Sequence, residues 1–377
     1  MRAIFTVTND IFTDQRVNKM ARTLHGMGYR VKIVGVKRRN SPPFNPDYAS
    51  IRRLPLLFHK KFFFYAEYNL KLFFYLLFQK ADLLVANDLD TLLPVHLVAR
   101  LRKKSVIYDT HEYFTGAPEV AGRAPVFFFW KWLEDRLFKR QQTIITVNHS
   151  IAQLYHQKYG KELHVVRNMP PYREPQEPPS RASLGLPEEK DIILLQGSGI
   201  NVDRGAEELI QAMQPCHGLE NAVLVIIGGG NVIDVLKKMV KQEQLEERVR
   251  FYPRMPYDRL MEYTRHASLG ISMDKDSSLN YRFSLPNKLF DYIMAGVPVL
   301  ASDLPEVSHI INTYQCGRIA QSHKPGHIAQ CIREMLGNRE QLAIWKANCL
   351  QAARELNWEK EEKTVMNIYS RYINQTP

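Results

Sequence analysis

The sequence predicts an α/β protein made of two doubly wound parallel sheets, and three observations carry that expectation. Short apolar runs alternate with amphipathic stretches along the first half of the 377 residues, as strands alternate with covering helices in βα units. A proline-rich stretch, MPPYREPQEPPSRASLGLP over 169–187, then breaks the alternation. Its prolines remove amide donors and favour extended backbone, so it predicts a linker. Beyond it the alternation starts again. Hydrophobic residues make up 45% and charged residues 24%, a balance that excludes a disordered chain, and the length suffices for two separate cores.

In the first half, strands are predicted at Ala3–Val7, Val31–Val36, Leu83–Ala86, Val106–Tyr108 and Thr143–Val147, with a helix from Asp14 to Met27 that Gly28 ends. In the second half they are predicted at Ile192–Leu195, Val223–Ile227, Leu269–Ser272 and Val297–Ala301. The helices between them are Ala206–Met213, Val232–Gln242 and Asn287–Met294, and helical patterns fill the rest to Ile373. The expected division is a domain over 1–170, a hinge over 171–188 and a domain over 189–357. Two such sheets facing each other would form one deep cleft. Ligands of doubly wound sheets bind beyond the carboxyl ends of the strands, so functional residues are expected just after strands.

Charge narrows the partners. Fifty-one Lys and Arg against 39 Asp and Glu leave +12, which suits a nucleotide, a nucleic acid or an anionic membrane. No aromatic–basic readout module is present and the lysines are scattered, so nucleic acid is not expected. Cys216, Cys316, Cys331 and Cys349 show no C-x-x-C spacing, which argues against a zinc site or disulfide framework and fits a reducing cytosol. The first residues read as a strand and not as a signal peptide. The most apolar stretch, 62–78, is interrupted by Glu67, Asn69 and Lys71, so no membrane span is expected. The expected location is cytoplasmic, with docking at the inner face of the membrane. Two aromatic clusters motivate the docking: Phe62–Tyr65 continuing to Lys71–Tyr75 behind His59-Lys60-Lys61, and Phe127–Trp132. Lys37-Arg38-Arg39 and Arg52-Arg53 are further basic runs. Aromatics beside Lys and Arg suit the headgroup boundary, whereas helix faces packed on the sheet would read the same in sequence.

Several segments could carry chemistry. Gly197-Ser198-Gly199 follows a predicted strand, and Arg204-Gly205 opens the next helix. Glycines let backbone approach a ligand, a helix start offers amides to an anion, and an Arg there adds a bidentate phosphate donor. A nicotinamide fingerprint would need a third glycine where Val202 stands. Gly228-Gly229-Gly230 follows the next strand and suits either a close ligand or a tight turn. The richest stretch is SLPNKLFDYIMAGVPVLA over 284–301. It places Asn287 and Lys288 at the positive end of a helix and Asp291 one turn later, a set able to hold a diphosphate and a sugar hydroxyl. Gly229 and Arg254 are further donor-side candidates. Asp88-x-Asp90 and Asp274-x-Asp276 form short D-x-D patterns at chance frequency. Asp88, after a strand, is explained as a helix cap, so no metal is expected. His111 follows a strand beside two carboxylates and is a functional candidate.

The 284–301 stretch resembles the hallmark of the retaining glycosyltransferases of family four, group one. There a helix carries two acidic residues with seven residues between them, before a small-residue run, a Gly and a P-V strand. Asp291 matches the second acidic position, which in that family contacts the nucleotide ribose. The first, which contacts the donor sugar, falls on Phe283, a departure from the pattern. Asn287 and Lys288 match a subgroup with P-x-K in this loop, and Arg204 matches the basic residue of a K-G or R-G signature. Ser198 stands where many members have a second Arg. The resemblance continues through Asp14-Gln15-Arg16-Val17, Asp88-Leu89-Asp90-Thr91-Leu92-Leu93-Pro94, Tyr108-Asp109-Thr110-His111-Glu112 and Arg167-Asn168-Met169-Pro170. His111 matches the active-centre histidine after the fourth strand. Trp358 and Tyr369 match the last helix, which in this family crosses back, so 358–377 is expected with the first domain.

The resemblance implies the GT-B fold of two Rossmann-like domains. It also implies transfer of a sugar, with retention, from a UDP- or GDP-type donor to a glycan or lipid-linked acceptor. His111 would hydrogen-bond the donor sugar, Arg204 and Lys288 would neutralise the leaving diphosphate without a metal or other cofactor, and Asp291 would hold the ribose. Gly197, Gly199, Gly229, Asn287 and Arg254 would line the donor. Two readings compete: a sugar-nucleotide epimerase of the same fold, which would consume donor without acceptor, and a non-catalytic nucleotide-sugar-binding scaffold, which would bind without turnover.

Overall fold

The structure is a computed structural model that describes residues 1–38 and 41–373, with only the backbone of Glu119. Arg39 of the predicted basic run and residues 374–377 of the predicted last segment lie outside the described residues. The chain divides into two compact units: Met1–Asn168 with Glu359–Pro377, and Met169–Trp358.

The first unit carries a seven-stranded sheet of β1 (Arg2–Thr6), β2 (Arg30–Lys37), β3 (Ser50–Pro55), β4 (Leu83–Asn87), β5 (Ser105–Asp109), β6 (Thr143–Thr146) and β7 (His164–Val165). Its order is β3-β2-β1-β4-β5-β6-β7 and every pairing is parallel. Helices cover such a sheet on both faces, so its central strands must be apolar on both; Ala3–Thr6 and all of β4 are buried. The helix Gln15–Gly26 starts where the Asp14 side chain accepts from the Val17 N–H.

The second unit carries β8 (Asp191–Gly197), β9 (Ala222–Gly228), β10 (Val249–Tyr252), β11 (Leu269–Ser272), β12 (Val299–Ser302) and β13 (Gly317–Ala320). Their order is β10-β9-β8-β11-β12-β13, again parallel. Side chains alternate between two cores. Ile193 and Leu195 pack with Leu209 and Ile332 on one face, while Ile192 and Leu194 pack with Leu289 and Ile293 on the other. Each sheet reverses its winding once, between β1 and β4 and between β8 and β11, and in doubly wound sheets ligands bind at that point beyond the strand ends.

The proline-rich stretch is not a free linker. Met169, Leu184 and Leu186 are buried in the core of the second unit, and one Arg181 nitrogen donates to the carbonyls of Pro187, Glu188 and Lys190. The prolines keep it extended, and three apolar side chains bind it down. The helix Trp358–Ile373 packs within the first unit. Thr23 donates to Glu362 at 2.7 Å, the Tyr29 hydroxyl to the Tyr369 carbonyl at 2.8 Å, and Tyr372 to Thr143 at 2.7 Å. Arg167 grips Glu361 at 2.7 Å.

His111 follows the fifth strand and not the fourth, because β3 forms from SIRRLP, a polar–apolar run with no continuous apolar signal.

Candidate functional site

In the second unit, Arg204 and Lys288 come together on one carboxylate. Arg204 follows β8, Asp274 lies two residues beyond β11, and Lys288 is the second residue of the helix Asn287–Met294. All three therefore meet where the sheet reverses its winding. The Arg204 guanidinium donates to Asp274 Oδ2 at 2.6 Å, and Lys288 Nζ donates to Asp274 Oδ1 at 3.2 Å. Asp274 is 1% exposed. The Arg204 guanidinium also stacks 4.2 Å over the Tyr281 ring. Burial would raise the Asp274 carboxyl, but Lys288 and Arg204 outweigh it and hold Asp274 below the usual carboxylate range. Burial, with Arg204 alongside, pushes the Lys288 ammonium down against the pull of Asp274. Two cations held by one anion leave an excess positive charge, and a phosphate would complement it.

Around this pair the glycines separate into two kinds. Gly228 has φ +136°, and a side chain there would strike the Gly197 carbonyl at 1.8 Å; one at Gly230 would strike the Ile200 carbonyl at 1.9 Å. The chain's own backbone explains both. At Gly197 and Gly199 a side chain would make only ordinary contacts, the nearest at 3.7 Å and 3.6 Å. Nothing in the chain's packing requires glycine there, and close approach of a ligand would. Gly229 lies under Arg254, which also donates to the Ser198 carbonyl and so joins the loops after β8 and β9. Asn287 is exposed at the start of its helix. Asp291, one turn on, is held by the buried Gln196 amide at 3.1 Å and by the Tyr257 hydroxyl at 3.1 Å. Phe283 lies under the Arg282 guanidinium.

The first unit gathers its quoted motifs into one charged cluster. Arg16, on the helix Gln15–Gly26, makes a bidentate pair with Asp109 at 3.0 and 2.7 Å and donates to the Val166 carbonyl at 2.6 Å. Arg16 is 3% and Asp109 0% exposed. His111 stands between two carboxylates, with Nδ1 3.3 Å from Asp88 and Nε2 3.5 Å from Asp109. Asp88 is not a helix cap. It has φ 62° and makes no side-chain capping bond; instead Oδ1 accepts from the His111 N–H at 2.8 Å. Its other oxygen faces the His111 ring. Asp90 accepts from Thr8 at 2.5 Å, and burial, with Asp88 beside it, pushes its carboxyl up to about 8.

Burial alone would lower the His111 pKa, but Asp88 and Asp109 outweigh it and raise it to about 9. At neutral pH the ring is then an imidazolium, a donor on both nitrogens and not a general base. Because the folded value lies above the unfolded one near 6.5, its contribution to stability is present below about pH 6.5 and disappears as pH rises through about 9. An NMR titration of the His111 ring is expected to show a midpoint near 9 that drops in Asp88→Asn; a wild-type midpoint near 6.5 would refute the arrangement.

Asp274, Gln196, Tyr257 and Arg16 are the site residues that sequence reasoning left without a role. Asp274 was accessible to the same rule that picked out Arg204, since it follows a strand of the sheet; it was weighed only as part of a D-x-D pattern and set aside with it. Among the described residues no group of three or more His, Cys, Asp or Glu is placed to hold a metal ion.

Comparison with known proteins finds two family matches. The family described as Glycosyltransferase Family 4 matches residues 14–169, and that described as Glycosyl transferases group 1 matches residues 176–351. A D-inositol 3-phosphate glycosyltransferase of Jonesia denitrificans is 24% identical over 257 residues, covering 63% of this chain and 59% of that protein. The chain spans about half the length of the curated relatives it matches, from 44% to 59%. Among solved structures, sucrose-phosphate synthase from Thermosynechococcus elongatus superposes with a TM-score of 0.81 at 16% identity over 100% of both chains. Anabaena HepE in complex with UDP and glucose superposes with a TM-score of 0.76 at 13% identity, over 98% of this chain and 100% of that one.

Proposed function

The chain belongs to the group 1 glycosyltransferases of family four, with a GT-B fold, and from that premise we propose that it transfers a sugar from a uridine diphosphate donor to a hydroxyl of a glycan or lipid-linked acceptor. The observation that carries this reading is Asp274 holding Arg204 and Lys288 beside two glycines that the chain's own packing does not require. A diphosphate fits the cations, and its approach accounts for the glycines. The uridine base is supported by HepE, whose structure contains UDP and glucose.

In the proposed reaction the bond between the anomeric carbon and the diphosphate oxygen breaks. A bond to the acceptor oxygen forms on the same face of the sugar, and the acceptor hydroxyl passes its proton to the departing diphosphate oxygen. Arg204 and Lys288 stabilise the charge that develops on the departing diphosphate, without a metal ion. Asp291, oriented by Gln196 and Tyr257, accepts from the ribose hydroxyls.

Thermal unfolding in the presence of UDP, GDP and ADP tests the reading. A nucleotide at a hundredfold excess over its dissociation constant stabilises by about 2.7 kcal/mol, and UDP is expected to give the largest shift. The shift should vanish in Arg204→Ala and persist after chelator treatment. Absence of any shift, or a shift that returns only with Mg²⁺ or Mn²⁺, would overturn it.

A further inference from the structure

We infer that the first unit docks on anionic lipid bilayers through an aromatic patch built by the start of the helix Lys61–Phe78 and the first half of the helix Ala124–Leu137. The helix Lys61–Phe78 buries a single stripe, Phe64, Tyr68, Leu72 and Leu76. An ordinary surface helix turns polar residues outward from such a stripe. This one turns out Phe62 and Phe63, each 62% exposed. On the second helix Trp130 is buried, whereas Phe128, Phe129 and Trp132 are exposed. The two exposed sets are one patch: the Phe62 and Phe129 rings lie 6.3 Å apart, and Phe63 lies 5.3 Å from Phe58.

The patch is held in place. Both oxygens of Glu67 accept from the Leu57 N–H, at 3.0 and 2.9 Å, and one accepts from the Phe58 N–H at 2.9 Å. This fixes a loop whose Leu57 side chain is 81% exposed. Large exposed apolar patches of this kind mark a partner surface.

Charge selects the partner. Residues 57–63 contain His59, Lys60 and Lys61 and no acid; residues 121–132 contain Arg123 and Lys131 and no acid, with Lys131 paired to Asp135 at 2.6 Å. Lys60, Lys61 and Arg123 are exposed. Aromatic rings entering the headgroup boundary beneath a basic rim match an anionic bilayer. A second copy of this chain docked through the same patch would bring one basic rim against another with no acid in either segment, a repulsive arrangement. No helix among the described residues is long and apolar enough to cross a membrane, so the patch would lie in the interface plane.

Docking here would also orient the charged cluster. The same helix carries Tyr68 and Asn69, which donate to the Val7 carbonyl at 2.5 Å and the Asp90 carbonyl at 2.9 Å. The patch and the His111 cluster thus share the carboxyl edge of one sheet. The inference stands apart from the transferase reading, since binding is measured without turnover.

The test is co-sedimentation of the full chain with phosphatidylglycerol–phosphatidylcholine vesicles and with pure phosphatidylcholine vesicles, at low and high salt. Light scattering without lipid reports self-association. The variants are Phe62→Ser/Phe129→Ser and Lys60→Glu/Lys61→Glu, each checked for a wild-type circular dichroism spectrum. Wild type is expected to bind the anionic vesicles and to release with salt. Each basic residue near an anionic surface contributes about fivefold in partition, so the double charge reversal should weaken binding by at least about 25-fold, and the serine variant should release as well. No binding to anionic vesicles would overturn the inference, as would binding unchanged in either variant. So would a dimer that the serine pair converts to monomer while lipid binding is absent.

Discussion

Arg204→Ala and Lys288→Ala are each expected to lower turnover by about a hundred- to a thousandfold, the usual loss when one donor aimed at developing charge is removed. The loss should fall mainly on kcat, since the charge they meet is largest as the diphosphate departs. Both cations are pinned by Asp274, at 2.6 and 3.2 Å, so little reorganisation is needed when a donor arrives. Arg204→Lys should recover only part of the activity, because an ammonium cannot both stack on Tyr281 and fork onto a phosphate. Steady-state kinetics with a radiolabelled donor and acceptor would measure this. Wild-type turnover in both alanine variants would remove the site.

Arg16→Ala should destabilise the first unit by about 3–5 kcal/mol, the range for leaving one member of a buried ion pair alone. That is roughly 6–20 °C in Tm for a unit of this size. Among the described residues Asp109, itself 0% exposed, would keep His111 as its one cationic partner. A pH dependence accompanies it. Burial tends to raise the Asp109 carboxyl, but Arg16 and His111 overcome this and hold it at about 2. A folded value below the unfolded one, near 3.9, gives stability that is present above about pH 4 and lost as pH falls through about 2. Asp109→Asn should abolish that acid limb. A loss under about 1 kcal/mol for Arg16→Ala, measured by urea unfolding, would mean the pair behaves as an exposed one.

The four strands that sequence reading did not find are β3, β7, β10 and β13, and these are the four sheet edges. Central strands of a parallel sheet are buried on both faces and read as continuous apolar runs, as IILL and VLVII do in β8 and β9. Edge strands have one neighbour and shallower burial; SIRRLP in β3 and GRIA in β13 alternate or blur. The site was legible to the extent that its residues follow central strands. Arg204, Lys288 and His111 were visible individually. Asp274 follows a strand and Asp109 ends one, but their pairing was not visible, because Arg204 and Arg16 lie 70 and 93 residues from them in sequence. The aromatic clusters divided as periodicity could not: Phe64 and Trp130 turned inward, Phe62 and Phe129 outward.

The helix Trp358–Ile373 belongs to the unit that begins at Met1, so that unit is discontinuous in the chain. During synthesis the first 168 residues emerge long before their last helix. At ordinary ribosomal rates the intervening unit takes on the order of 10–40 s to make. For that interval Tyr29 and the face of the helix Gln15–Gly26 lack the Tyr369 and Glu362 contacts that later cover them. The nascent N-terminal unit is therefore an incomplete body waiting for its closing piece. A chain stopped shortly before Trp358 would therefore lose Glu362, Tyr369 and Tyr372 from the first unit, while the second unit would keep all its strands.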